Sequence, residues 1–414
     1  MYHPASFGDA IIVAQPWSRR NTRGLKPAGV AGACRAGAYD TPRTLLSMFF
    51  FILLAAWLLL PLYVGWRAGS VPWIARRVPA WARMAASVLL ASGYAGARWA
   101  EGAGLTVLAG PMEWVGATSI GILFLLFVAL LPVDLLTGFG WLFPRHAPRL
   151  RRFALAAGAA MSLVALVQGL RPPVVREFEI RLAGLPRERD GTVLLFVSDL
   201  HLGTQLGERW LTARLAQIAA LRPDAILLGG DLLEGDSESE RDLVPLLGRL
   251  SAPLGVWTVA GNHDGHGVAA SGLQALETRG VGVLRNQWSE LRPGLIVAGI
   301  EDARSHRDPP VAGNRLERAL AGRPAGAIVL ISHAPSQVEQ ASAAGVGLMV
   351  AGHTHDGQIW PFRYLVRTQF RFLAGRYDVG SMVLLVCRGT GTFGPRMRLW
   401  YPSEMLRITL RPGG

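Results

Sequence analysis

The chain has 414 residues, 50% of them hydrophobic and 17% charged, with only two cysteines, Cys34 and Cys387, in no metal or redox spacing. A single fully soluble domain, a disordered chain and a disulfide scaffold are therefore poor fits. The formal net charge of +13 invites a nucleic-acid reading, but residues 1–176 hold 17 basic and 5 acidic side chains while 177–414 hold 25 and 24, so the excess lies in the first part and no nucleic-acid partner is expected.

In chain order, residues 1–43 are rich in Gly, Pro, Ala and Arg without periodicity and read as a poorly structured tail. Residues 44–170 read as about four transmembrane helices. Thr44–Trp66, Trp114–Val133 and Phe153–Leu170 are uncharged stretches of 23, 20 and 18 residues, near the roughly 20 needed to cross a hydrocarbon core. Met84–Ala97 is shorter and is the weakest of the four. Under four spans the Arg-rich loops 67–83 and 145–152 share a side, cytoplasmic by the positive-inside rule. Arg19, Arg20, Arg23, Lys26, Arg35 and Arg43 in the tail argue for the opposite face, which leaves the side of the C-terminal half open. A multi-pass protein of a bacterial inner membrane is expected.

After Arg171-Pro172-Pro173, which cannot continue a helix, the rhythm changes. Seven short apolar runs read as buried strands: Thr192–Val197, Ala225–Leu228, Gly255–Ala260, Leu295–Gly299, Ala327–Ile331, Gly347–Val350 and Met382–Val386. Trp210, Leu211, Leu215, Ile218 and Leu221 mark a connecting helix, with Arg209, Arg214 and Arg222 on its polar side. Gly235–Asp242 reads as a solvated loop. Residues 177–414 are thus an α/β domain, its sheets covered by helices.

Seven of the nine histidines fall within 201–355, and five strands end in polar motifs. These are Ser198-Asp199-Leu200-His201, Gly229-Gly230-Asp231, Gly261-Asn262-His263-Asp264, Ser332-His333 and Gly352-His353-Thr354-His355. Each alone has a bland reading as chance or as a turn. Together, at strand carboxyl ends, they converge on one cleft. Oxygen and imidazole donors without thiolate suit Mn, Fe or Zn. Seven candidate ligands are too many for one ion but not for two sharing a carboxylate, and Asp231, after two glycines, is the natural bridge. Alternation along an extended chain lets Asp199 and His201, and likewise His353 and His355, aim the same way.

These blocks resemble the calcineurin-like metallophosphoesterases, over about residues 177–414. The resemblance implies a β-sandwich flanked by helices and a dinuclear centre. It puts Asp199, His201, Asp231 and His355 on one divalent ion, Asp231, Asn262, His333 and His353 on the other, and His263 beside them as the acid, with Asp264 helping to orient it. Gly352–Ile359 and Arg388-Gly389-Thr390-Gly391-Thr392 look like the bacterial branch with N-terminal membrane helices. That branch usually has Gly where this chain has Asp356, whose bulk would disturb the metal edge or the backbone there. The implied activity is hydrolysis of a phosphodiester or pyrophosphate bond by in-line attack of an activated water.

Membrane helices favour a lipid-linked substrate, and the resemblance makes the UDP-2,3-diacylglucosamine type the leading guess, with membrane lipids as partners. The alternative is a non-catalytic membrane sensor or scaffold that keeps the metal-binding fold. A transporter is disfavoured because Thr44–Trp66 holds no charged group that could line a pathway and Asp134 lies only at the end of its span. His266 reads equally as a substrate contact or a solvated loop histidine, His306, among Arg304, Arg307 and Asp308, reads as surface, and nothing bears on oligomeric state.

Overall fold

A computed structural model of the chain describes residues 59–103, 105–234, 238–265, 267–302 and 315–413. The N-terminal tail, most of Thr44–Trp66, Cys34, His266 and His306 lie outside the described residues.

Residues 59–69 are helical, followed by helices Ala80–Gly102, Thr106–Leu136 and Ala147–Leu170. Two of them, Val107–Leu136 and Ala147–Leu170, are long and apolar enough to cross a membrane. The Met84–Ala97 stretch lies in the 23-residue helix Ala80–Gly102, in which the described residues offer only a shorter apolar segment, Ala80–Leu90. Among the described residues, then, the expected four-helix bundle reduces to two candidate spans with shorter helices beside them. Small residues set the packing: a Cβ on Gly93 would lie 3.0 Å from the Gly116 backbone, and one on Gly158 2.9 Å from Leu126 Cα. At one end of these helices Asp134, fully buried, is held by Arg67 Nε at 2.6 Å and Arg151 Nη2 at 2.8 Å, and it accepts a hydrogen bond from the Tyr63 hydroxyl.

Beyond Leu170 the chain builds two six-stranded mixed sheets. The first has the order β1 (Val174–Leu182), β12 (Glu404–Pro412), β2 (Val193–Val197), β3 (Ala225–Leu228), β4 (Val256–Thr258), β5 (Gly282–Val283). The second runs β10 (Gly375–Val379), β11 (Met382–Val386), β9 (Leu348–Ala351), β8 (Ala327–Ser332), β7 (Leu295–Ile300), β6 (Gln287–Arg292). The strands β2, β3 and β4 pair in parallel, as do β7, β8, β9 and β11.

The period-2 alternation of a strand explains the layers. In β2, Leu194 and Phe196 face Val297, Val329, Leu348 and Leu385 of the other sheet, whereas Leu195 and Val197 face outward. The outer face of the first sheet is covered by helices Glu208–Ala220 and Gly267–Glu277. The outer face of the second is covered by Arg315–Leu320 and Val338–Ala343. The result is the expected sandwich flanked by helices. All seven apolar runs are strands. Two details differ. Arg214, expected on the polar side of its helix, is buried with its guanidinium 5.7 Å over the Trp210 ring. Glu238–Arg241, within the expected solvated loop, forms a helical turn with Glu240 buried.

Helices and sandwich are packed on one another. Leu125 and Ala165 share an apolar cluster with Ile359, Met397 and Leu399, and the Arg398 amide donates to the Ala165 carbonyl at 2.8 Å.

Candidate metal centre

Each predicted site residue sits just past a buried strand: Asp199 and His201 after β2, Asp231 after β3, Asn262 and the expected acid His263 after β4, His333 after β8, His353 and His355 after β9. Strands covered on both faces cannot bend, so their ends are fixed points from which short loops project donors.

The structure brings all eight together. His201 Nε2 lies 3.2 Å from His355 Nε2, and His355 Nε2 lies 3.7 Å from Asp199 Oδ1. On the other side His333 Nε2 lies 3.0 Å from Asn262 Oδ1, 3.0 Å from His353 Nδ1 and 3.3 Å from Asp231 Oδ2. The same Asp231 oxygen is 3.7 Å from His201 Nε2, so that carboxylate stands between the two groups. Ligand atoms about 2.0–2.2 Å from a shared ion are roughly 3.0–3.6 Å from one another, so these spacings, with imidazole and carboxylate donors, fit divalent ions. Three donor triples have one ligand atom from each residue within 4.8 Å of the others: Asp199, His201 and His355; Asp231, His333 and His353; and His201, Asp231 and His263.

The way the donors converge differs from the expected alternation. Asp199, His201, Asp231, His353 and His355 all have left-handed backbone, with φ between 44° and 69°. With Asp356 they are six of the twelve non-glycine residues of positive φ among the described residues. Each costs of order 1–3 kcal/mol, so strain is concentrated at the cluster and its loops turn sharply rather than extend the strands. Glycine makes room: a Cβ on Gly230 would lie 2.6 Å from the Gly261 amide nitrogen.

Partners fix the rings. His333 Nδ1 lies 2.8 Å from the Gly229 carbonyl and His263 Nδ1 3.0 Å from the Glu234 carbonyl. A carbonyl only accepts, so both Nδ1 atoms carry hydrogen and both Nε2 atoms face the cleft. His201 Nδ1 is held by the Glu234 carboxylate at 2.6 Å. Asp199 accepts from the His353 amide at 2.9 Å. Asp264 does not orient His263: its carboxylate accepts from the amides of Asp231, Leu232 and Gly261 at 2.6, 3.0 and 2.9 Å, pinning the loop that carries Asp231. Asp356 points away from the cluster, fully buried and paired with Arg363 and Arg388 at 3.0 Å each.

Electrostatics follow from burial and these pairs. Burial works to hold His201 and His333 down, but Glu234 for the first and Asp231 for the second override it and push them up to about 9 and about 10. Burial, with His201 and Arg398 adding to it, holds His355 well below the ordinary imidazole range. Burial likewise works to raise Asp231, yet His333 and its neighbouring histidines keep it well below the usual carboxylate range. Burial, reinforced by Asp231, pushes Asp264 up to about 6.

Two residues of the site escaped the sequence reading. Glu234, three positions past Asp231, reaches His201 because Leu202 and Leu233 form a parallel bridge, a pairing with no sequence signature. Arg398 is fully buried, with Nη2 3.4 Å from His355 Nδ1 and 2.7 Å from the Gly391 carbonyl. In a chain where 41 of 42 basic residues are Arg, nothing marks it out.

Residues 192–357 match the family model of the calcineurin-like phosphoesterases. Among curated relatives, a transmembrane protein with metallophosphoesterase domain from Danio rerio is 32% identical over 271 residues, 62% of each chain. An uncharacterized metallophosphoesterase from Aquifex aeolicus is 27% identical over 58% of this chain and 92% of its own. The match thus spans about three fifths of the Danio rerio relative and nearly all of the Aquifex aeolicus one. A 5'-nucleotidase precursor from Thermus thermophilus overlaps 52% of the chain and 54% of its own length, with a TM-score of 0.31 and 16% identity.

Proposed function

Because this chain carries a calcineurin-like metallophosphoesterase domain, we propose that it is a membrane-bound hydrolase of phosphodiester or pyrophosphate bonds, working with two divalent ions of the Mn, Fe or Zn kind. The observation that carries the reading is the convergence of seven donor side chains, split by Asp231 into two groups, with His263 beside them. We keep Asp199, His201, Asp231 and His355 for one ion, Asp231, Asn262, His333 and His353 for the other, and the domain limits 44–170 and 177–414.

When bound, such ions neutralise phosphoryl oxygens and lower the pKa of water to about 7. The chain's own residues do the rest. Asn262 offers a neutral oxygen, and Glu234 and the Gly229 carbonyl lock the rings of His201 and His333. His263, its Nδ1 hydrogen spent on the Glu234 carbonyl, presents Nε2 to the cleft and gives its proton to the leaving oxygen. Its amide donates to Asp231 Oδ1 at 2.9 Å, which sets the acid's position relative to the carboxylate that would be shared by both ions.

A lipid-linked or otherwise amphiphilic substrate is supported by the apolar helices and by the approach of Thr106–Leu136 to the site: a Cβ on Gly110 would lie 3.2 Å from Thr204, three residues past His201. The UDP-2,3-diacylglucosamine guess rests on the resemblance alone.

The test is turnover of bis(4-nitrophenyl) phosphate and of a membrane-lipid extract by detergent-purified protein, stripped by chelator and reloaded with Mn or Zn. Activity should vanish on stripping, return on reloading, and fall by more than about 100-fold in Asp231→Asn. A reloaded protein that cleaves neither substrate class leaves the sensor reading in its place.

A further inference from the structure

We propose that Phe393 is a specificity-determining residue that receives the leaving group of the phosphoester and favours one with an apolar body next to the phosphate. The proposal rests on the role given to His263 above. A proton donor to the leaving oxygen must touch the leaving group, so whatever borders His263 on the open side borders the leaving group too.

That neighbour is Phe393. Its ring centroid lies 5.4 Å from that of His263 in an edge-on arrangement, 5.3 Å from His201 and 6.4 Å from His355. The ring is nonetheless 49% exposed, whereas the preceding Thr390, Gly391 and Thr392 are buried. A large apolar surface at the rim of a polar cluster, left open on one face, is available to a ligand.

The ring is also held in place. The buried Gln358 side chain accepts from the Phe393 amide at 2.9 Å and donates to the Phe393 and Pro395 carbonyls at 3.0 and 2.9 Å. Four residues on, Met397 is fully buried among Leu125, Ala165, Ile359 and Leu399. The loop is therefore pinned at both ends, once by Gln358 and once by the apolar helices, and the aromatic face is presented without an ordering cost at binding. Phe370 lies against His353, 5.2 Å between centroids, at the opposite end of the cluster from His263, and serves as the internal comparison.

The test is calorimetric binding of phenylphosphonate and methylphosphonate to the Mn-loaded, detergent-solubilised protein, since neither is turned over. Wild type should bind phenylphosphonate about tenfold or more tightly than methylphosphonate. In Phe393→Ala the ratio should fall to within about threefold with methylphosphonate affinity and Mn stoichiometry unchanged, Phe393→Leu should lie between, and Phe370→Ala should keep the wild-type ratio. An unchanged ratio in Phe393→Ala overturns the proposal. Failure of methylphosphonate to bind the Mn-loaded wild type overturns the phosphoesterase reading instead. Hydrolysis of diesters with aryl and with methyl leaving groups should show the same loss as a rise in KM for the aryl substrate at near-constant kcat.

Discussion

His201 is gripped by the Glu234 carboxylate on Nδ1 and turned toward Asp231 and His355 on Nε2, so its donor direction is set before any ion arrives. Glu234→Gln should lower metal affinity about 10- to 100-fold, read by Mn titration against a chelator, while Glu290→Gln, on β6, should not. Removing metal exposes a second property. With His201 at about 9 and His333 at about 10, against an ordinary 6.5, both rings are protonated in the metal-free protein at pH 7. Raised pKa values of this sort add stability that is complete below about pH 6.5 and drains away as pH rises through 9 to 10. The Tm of stripped protein should therefore fall between pH 7 and 10. That of loaded protein should hardly change over the same range, because ligation requires neutral rings. Metal uptake at pH 7 should release about two protons, measurable by calorimetry in buffers of different ionisation heat. Uptake without proton release would mean that the rings are neutral and that the carboxylates do not govern them.

At the scale of elements, legibility in the sequence tracks burial on both faces. The strands β2, β3, β7, β8, β9 and β11 are unbroken apolar runs because helices cover one side and the facing sheet the other. The edge strand β1 and its neighbour β12 carry Arg176, Glu177 and Glu179 or Arg407 and Arg411 at half-exposed or exposed positions, and so they do not read as strands. The ligand motifs were legible because chemistry restricts their residue types. The left-handed turns that aim them were not, since Asp199 and His353 adopt φ of 55° and 69° although neither is glycine.

The junction of helix and loop was likewise invisible, although one residue marks it. Gly169, in the last turn of Ala147–Leu170, faces the loop so closely that a Cβ would lie 2.8 Å from Met397 Cα and closer still to the Arg396 carbonyl. Backbone cannot yield as a flexible side chain can. Gly169→Ala should cost about 1–3 kcal/mol in detergent unfolding and should shift the loop that carries Phe393 and Arg398. Gly322→Ala tests the opposite situation: a Cβ there meets nothing, and its φ of 67° makes any cost a purely local one that leaves activity alone.

At the scale of the molecule, the helices set which end of the apolar segment carries the sandwich. Arg67 and Arg151 meet on the single carboxylate of Asp134, so the basic segments around residues 67 and 151 lie at one end of the helices. The sandwich is attached at the other. Ala165, which accepts from Arg398, is 14 residues beyond Arg151, about 21 Å along a helix of 1.5 Å rise per residue. The segments 67–83 and 145–152, which run into the first turns of Ala80–Gly102 and Ala147–Leu170, hold eight Arg and no acidic residue. If these helices cross a bacterial membrane, the positive-inside rule puts this end on the cytoplasmic side and the sandwich on the opposite face. Alkaline phosphatase fused after residue 414 should then be active in bacterial cells, and a fluorescent protein that folds only in the cytoplasm should stay dark at the same position. Reversal of both signals would show that the six basic residues of the tail outweigh the two segments. It would also put the candidate metal centre on the cytoplasmic face.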